Sequence, residues 1–184
     1  MKIGIISDTH GCARTWEKVY NRYFLGYDLI IHAGDILYHG PRNDIPEEYN
    51  PKQLAELLND CPIPMIVASG NCDADVDGIV LTMPIQSPYA YLMVEGVPIV
   101  VNHGHTLTKQ TMREMAEKFK AALFITGHTH VTLLEKHNGV MYLNPGSPAM
   151  SKNADKCGTI ARLVDHTIEV LDVETGRILM SDAL

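Results

Sequence analysis

Five short apolar runs in this chain each stop at a small group of glycine, carboxylate, amide or imidazole residues. They cover residues 2–7, 28–33, 64–69, 97–102 and 123–126, and they are followed by Asp8-Thr9-His10, Gly34-Asp35, Gly70-Asn71-Cys72-Asp73, His103-Gly104-His105 and Gly127-His128-Thr129-His130. Short, β-branched and bounded by turn residues, such runs are buried strands. Between them lie segments with the three-and-four spacing of amphipathic helices. Residues 12–24 carry Trp16, Val19, Tyr20 and Phe24; residues 52–60 carry Leu54, Leu57 and Leu58 behind a helix-starting Pro51; residues 108–120 carry Met112, Met115, Ala116 and Phe119. Residues 79–83 and 89–94 read as a further strand pair, and Glu95-Gly96 as a tight turn. Asn138-Gly139 marks a type I′ hairpin joining 131–137 to 140–143. Residues 157–164, 166–173 and 176–181 read as antiparallel strands. Strand and helix alternate over the first 130 residues and the remainder is mostly β, which predicts an α/β architecture with part of the sheet antiparallel.

A chain of 184 residues suits one domain over 1–184, able to bury roughly 70% of its extended-chain surface. No apolar run approaches the ~18 residues of a membrane span. The N-terminus is one lysine and a four-residue apolar stretch before Asp8, a strand rather than a leader. The formal net charge of −7, with no basic cluster, argues against duplex nucleic acid as a partner. Two bound divalent cations would nonetheless reverse the local field at a site. Cys12, Cys61, Cys72 and Cys157 match no zinc or redox spacing, so they are read as free thiols of a cytoplasmic protein.

Each strand ending has a local explanation when taken alone. Asp8 could cap a helix, Gly34-Asp35 and Gly70-Asn71 could be plain turns, and His103 could be a satisfied core histidine. Together, Asp8, His10, Asp35, Asn71, His103, His128 and His130 put seven donors at five strand ends, where ligands gather in open α/β sheets. Carboxylate, amide and imidazole without thiolate suit Mn, Fe, Ni or Zn in a hydrolytic site. Seven donors exceed the needs of one such ion. Two ions sharing one carboxylate would have four each, and two metals about 3.5–4 Å apart suit in-line displacement at phosphorus. His32, His39, His137 and His166 fall outside this pattern.

In order and type, these five blocks resemble those of the calcineurin-like metallophosphoesterase superfamily. Gly40-Pro41-Arg42-Asn43, Asn71-Cys72-Asp73 and Asn144-Pro145-Gly146-Ser147 resemble its small bacterial YfcE-type phosphodiesterases. The resemblance implies two facing mixed β-sheets flanked by helices, a four-layer α-β-β-α sandwich. It implies one metal on Asp8, His10, Asp35 and His130, a second on Asp35, Asn71, His103 and His128, and Asp35 as the bridge. Two divalent ions are expected, manganese first, with nickel, zinc or iron as alternatives. The implied reaction is hydrolysis of a small phosphodiester by a hydroxide bridging the metals, with Arg42 and Asn71 on the substrate.

The superfamily's usual Gly-Asn-His block has Cys72 in place of the histidine, and a neutral thiol is a weak donor. Cys72, Asp73 and His105 are the candidates for the rest of the catalytic group, with His105 the nearest spare imidazole in the sequence. A phosphomonoesterase or nucleotidase on the same metals stays open. So does a non-catalytic scaffold of the retromer-subunit type, and the β-rich second half allows a homo-oligomer.

Overall fold

In the computed structural model, which describes residues 1–184, the chain begins β1 (Lys2–Ile6), α1 (Ala13–Val19, continued by a π-helical turn Tyr20–Phe24), β2 (Leu29–His32), α2 (Pro51–Asn59) and β3 (Met65–Ala68). It continues α3 (Asp77–Val80), β4 (Ile85–Gln86), β5 (Ala90–Val94), β6 (Val97–Val101), α4 (Lys109–Lys118) and β7 (Leu123–Ile125). It ends β8 (Leu133–His137), β9 (Val140–Asn144), β10 (Thr159–Val164), β11 (Thr167–Asp172) and β12 (Ile178–Ala183). One sheet has seven strands in the order β12-β11-β10-β1-β2-β3-β4, and the other has five in the order β5-β6-β7-β9-β8. Both are mixed, as expected.

The central strands β1, β2, β6 and β7 are buried on both faces for most of their length, which explains why they read as continuous apolar runs. Along β1, β2, β6 and β7, Ile3, Ile5, Ile31, Ile99, Val101, Leu123 and Ile125 meet in one cluster between the two sheets. Their neighbours point the other way. Ile6 and Ile30 join Trp16, Val19 and Leu54 of α1 and α2 on the outer face of the larger sheet. Val100, Phe124 and Tyr142 pack against Ala116 of α4 outside the smaller one. Period-2 alternation within each strand thus builds the layers α-β-β-α.

β1, β2 and β3 are mutually parallel, as are β6 and β7. Their five carboxyl ends open on the common edge where the sheets face each other, so the five terminal blocks converge. The two-residue hairpin turns at Glu95-Gly96 and Asn138-Gly139 have positive φ at both positions, as a type I′ turn requires, and so does Asp165-His166.

One expected strand is absent. Residues 79–83 instead contain the end of α3, and the strand nearby is only Ile85–Gln86 at the sheet edge. Asp77 accepts the Ala74 N–H at 2.9 Å and starts a helical turn, and Asn59 clamps its exit by donating to the Val80 carbonyl. Ile79 is left 83% exposed, so its apolar side chain marks no core. Leu123→Ala should therefore cost about 2–5 kcal/mol in urea denaturation, as expected for a fully buried leucine. Ile79→Ala should stay within about 0.5 kcal/mol of wild type.

Candidate metal centre

Two groups of donors sit side by side at the common edge. Asp8, His10 and His130 form one; Asp35, His103 and His128 form the other; Asp35 also lies in a third with His10 and Cys72. Six of the seven expected donors fall in these groups and Asp35 reaches into each neighbourhood, whereas Asn71 is exposed, belongs to neither group and turns its amide nitrogen to Cys72.

The imidazoles are held by the backbone. His10 Nδ1 lies 2.7 Å from the Tyr38 carbonyl, His130 Nδ1 2.7 Å from the Met150 carbonyl, and His103 Nδ1 2.8 Å from the Ala33 carbonyl. A carbonyl only accepts, so each Nδ1 carries the hydrogen. That leaves the neutral rings of His10 and His130 with lone pairs on two Nε2 atoms only 3.1 Å apart. Two lone pairs that close repel unless a positive charge lies between them and the carboxylates. Nε2 of His130 is 3.2 Å from Asp8 Oδ1, and Nε2 of His103 is 3.2 Å from Asp35 Oδ2. Yet Asp8 Oδ1 and His103 Nε2 are buried with no hydrogen-bond partner, because the distances suit a bond and the angles do not. Unpaired inward donors of these types fit divalent cations, and hydrogen bonding of the outer ring nitrogen is the usual support of a metal-ligating histidine.

The carboxylates are oriented in the same way. Asp8 Oδ2 accepts from Ser7 Oγ at 2.6 Å and from the His128 N–H at 3.0 Å, leaving Oδ1 to face the imidazoles. Burial alone would raise the Asp8 carboxyl, but the His10 and His130 imidazoles hold it well below the usual carboxylate range. Asp35 Oδ1 accepts from the Cys72 N–H at 2.7 Å, leaving Oδ2 toward His103 and His10. Burial would lower the His103 imidazole, and the Asp35 and Asp8 carboxylates beside it instead carry it up to about 9. Two glycines permit these approaches: a Cβ on Gly127 would collide with Ser7 Oγ, and one on Gly70 with Asp35 Oδ1.

Beside the donors lies a cleft of about 440 Å³, whose lining includes Asn71, Cys72, His128, His130, Arg42 and Lys152. The Cys72 thiol accepts from Asn71 Nδ2 at 3.2 Å, and burial followed by the Asp35 charge pushes it up to about 12, so it stays protonated. Gly40-Pro41-Arg42-Asn43 forms a tight turn closed by Asn43 N–H to the Gly40 carbonyl, with Arg42 at its tip.

Asp73 has a different part from the catalytic one expected of it. It is not in the cleft lining, and both its oxygens are occupied by backbone N–H groups: Ile36 at 2.7 Å, Gly70 at 2.7 Å and Asp35 at 3.0 Å. It is a positioning residue that ties the β3 end to the Asp35 turn. His105 is exposed, is also outside the cleft lining, and rests against the His103 and His128 rings with centroids 5.5 and 6.1 Å away. His32 is structural, as read from the sequence. Its Nδ1 accepts from the Gly34 N–H and its Nε2 faces Thr9 Oγ1 at 3.0 Å, which in turn donates to the Ile36 carbonyl.

Sequence reasoning missed the braces. Ser147 Oγ donates to the Asp8 carbonyl and Asn144 Nδ2 to the Gly127 carbonyl, so the recognised Asn144–Ser147 turn secures two ligand loops at once. Lys152 was also missed, since nothing in its neighbours marks it.

Two outcomes are expected. Asp73→Ala should weaken Mn²⁺ binding about 10–100-fold in calorimetry, as loss of a group that orients a ligand does. The second concerns His32, fully buried and pushed down to about 4 by burial. It is neutral in the fold, so its contribution is present above its ordinary value of 6.5 and is lost as pH falls toward 4. This loss amounts to about 3 kcal/mol, at about 1.4 kcal/mol per unit. Denaturation of the metal-free protein between pH 6.5 and 4 should be less pH-sensitive in His32→Asn.

Residues 1–166 match the family model of the calcineurin-like phosphoesterase superfamily domain. Phosphodiesterase YfcE of Escherichia coli is 32% identical over 156 residues, which are 84% of this chain and 83% of that protein. A probable metallophosphoesterase of Methanothermobacter thermautotrophicus is 27% identical over 183 residues, 96% of this chain and 94% of its own. The solved structure of E. coli YfcE, a phosphoesterase, superposes with a TM-score of 0.88 at 28% identity, covering 100% of this chain and 99% of that one. Zinc-complexed Vps29 of Entamoeba histolytica superposes at 0.69 with 16% identity, covering 100% and 98%, a likeness of fold alone.

Proposed function

From the premise that this chain belongs to the calcineurin-like phosphoesterase superfamily and is a metal-dependent phosphoesterase, we propose that it is a dinuclear phosphodiesterase acting on small diesters. The observation that carries this reading is the pair of adjacent donor groups with Asp35 at their junction, the first containing two buried imidazoles pinned by backbone carbonyls, His10 and His130, and the second one, His103. Asp8, His10, Asp35 and His130 would hold one cation, and Asp35, Asn71, His103 and His128 the other. Two such cations, manganese first, would make a hydroxide available at neutral pH and offset charge on the phosphate.

The chain's own residues then have separate tasks. The Arg42 turn and Asn71 hold the diester at the mouth of the cleft. Ser7 holds the Asp8 carboxylate, while Ser147 on the Asp8 carbonyl and Asp73 on the Asp35 N–H hold the backbone that carries the two carboxylates, so little reorganisation accompanies reaction. Cys72 lies where the superfamily's usual histidine would stand. Its thiol is held protonated and donates weakly, so this enzyme favours leaving groups that need no proton. A reducing cytoplasmic compartment suits the four free cysteines.

Metal-stripped protein titrated with Mn²⁺ and assayed on bis(p-nitrophenyl) phosphate tests the reading. Turnover should appear and saturate near two ions per chain. Binding without turnover would remove the activity, and no binding would leave a scaffold. p-Nitrophenyl phosphate in parallel ranks monoesters against diesters. Cys72→His should raise the rate on alkyl diesters within the about 10²–10⁴-fold range of general acid catalysis while changing nitrophenyl turnover far less. An unchanged alkyl rate with full metal content would remove the missing-acid explanation.

A further inference from the structure

Two cations in the cleft have no partner within the protein. Arg42 and Lys152, both exposed, line it, and the three lysine or arginine ion pairs of the chain (Lys18–Glu174, Lys109–Glu135 and Arg162–Glu169) lie elsewhere. In a chain of net charge −7, acids outnumber bases 22 to 15, yet the only acid in the cleft lining is Asp35, already engaged with Cys72 and His103.

The two cations come from different loops, that of Lys152 crossing from β9 of the smaller sheet to β10 of the larger. Arg42 stands at the tip of the turn that follows β2, and Lys152 in the loop that follows β9. The loop carrying Lys152 is fastened on both sides of it. Its own N–H donates to the His130 carbonyl at 3.0 Å, the Met150 carbonyl accepts from His130 Nδ1, and Asn153 Oδ1 accepts from the Thr132 N–H at 3.0 Å. The lysine backbone is therefore built into the same segment that aims a candidate metal ligand. The cleft lining also contains no phenylalanine, tyrosine or tryptophan, so it lacks the flat apolar shelf on which a nucleobase stacks.

We propose that Lys152 is a specificity-determining residue, and that the substrate is a compact diester whose non-leaving arm carries a second anionic group, carboxylate or phosphate, and no nucleobase. One phosphate at the metal donors is the reacting group; Arg42 and Lys152 take the remaining negative charge, which the protein itself leaves unmatched. This rests on the phosphodiesterase reading for the reaction, and on the cleft alone for the charge.

Binding and turnover separate the two. Calorimetry of the Mn²⁺-loaded protein compares 3-phosphonopropionate with propylphosphonate, which differ in the distal carboxylate; propane-1,3-diphosphonate distinguishes a distal phosphate from a carboxylate. The distal anion should tighten binding about tenfold or more, in line with charge-assisted hydrogen bonds. Lys152→Ala should remove most of that advantage, Lys152→Arg should restore it, and metal content should be the same in all three. In parallel, kcat/KM for 2-carboxyethyl p-nitrophenyl phosphate should exceed that for the ethyl ester, with the ratio falling about tenfold in Lys152→Ala, chiefly through KM. Equal binding of the two phosphonates, or an advantage that survives Lys152→Ala, overturns the proposal. A charge preference in binding that Lys152→Ala removes, with no turnover of either diester, keeps Lys152 as the residue that selects a distal anion and removes the phosphodiesterase reading, and the diester with it.

Discussion

Five of the seven candidate metal donors sit on left-handed backbone. Asp8, His10, Asp35, His128 and His130 have φ between 45° and 67°. For residues with a Cβ this conformation is uphill by roughly 1 kcal/mol or more each, less where a short polar side chain bonds locally. Such strain persists only where the surroundings over-determine it. Here it bends each strand exit sharply, so that consecutive residues turn their side chains back into one volume at the sheet edge. The rest of the structure serves that bend: apolar packing on both faces holds the strands rigid up to the turn, and buried hydrogen bonds take over beyond it.

Those hydrogen bonds are the second requirement. Each of three imidazoles gives its outer nitrogen to a backbone carbonyl, and each carboxylate commits one oxygen to N–H or O–H donors. What remains inward is a set of ring nitrogens and negative oxygens in close contact, with Asp8 Oδ1 and His103 Nε2 unsatisfied. Burying such groups unpaired is expensive, and the arrangement is stable as a receptor for positive charge rather than as a core. Long-range braces make this possible: Ser147 reaches Asp8 across 139 positions of sequence, and His128 reaches it across 120.

The cleft beside the donors combines contributions from both sheets. The Arg42 turn follows β2 of the larger sheet and Lys152 lies on the β9–β10 connection between the sheets, and Cys72 and Asn71 add small polar groups without aromatic surface. A site built this way discriminates by charge and size more than by stacking, because its attractive groups are point charges and amides rather than flat apolar faces.

Much of this was legible in the chain itself. Alternating apolar runs and amphipathic segments determine a layered α/β fold because two-sided burial demands such patterns, and each run stopping at Asp, Asn or His names the donors. The Asn138-Gly139 turn was equally plain, since few dipeptides tolerate two positive φ values. Residues 79–83 misled because an apolar triplet looks alike in a strand and in an exposed helical turn; the Asp77 and Asn59 hydrogen bonds that decide between them join residues not adjacent in sequence. Asp73 looked catalytic beside Asn71, and only the folded chain brings the Ile36 and Asp35 amides onto its two oxygens. Lys152 carried no local signal at all. Sequence determined which residue types are present and where strands end, because those follow from short-range propensity and periodicity. Tertiary structure decided which oxygen, which ring nitrogen and which cation face the common edge, because those orientations depend on contacts between segments 20 to 139 residues apart.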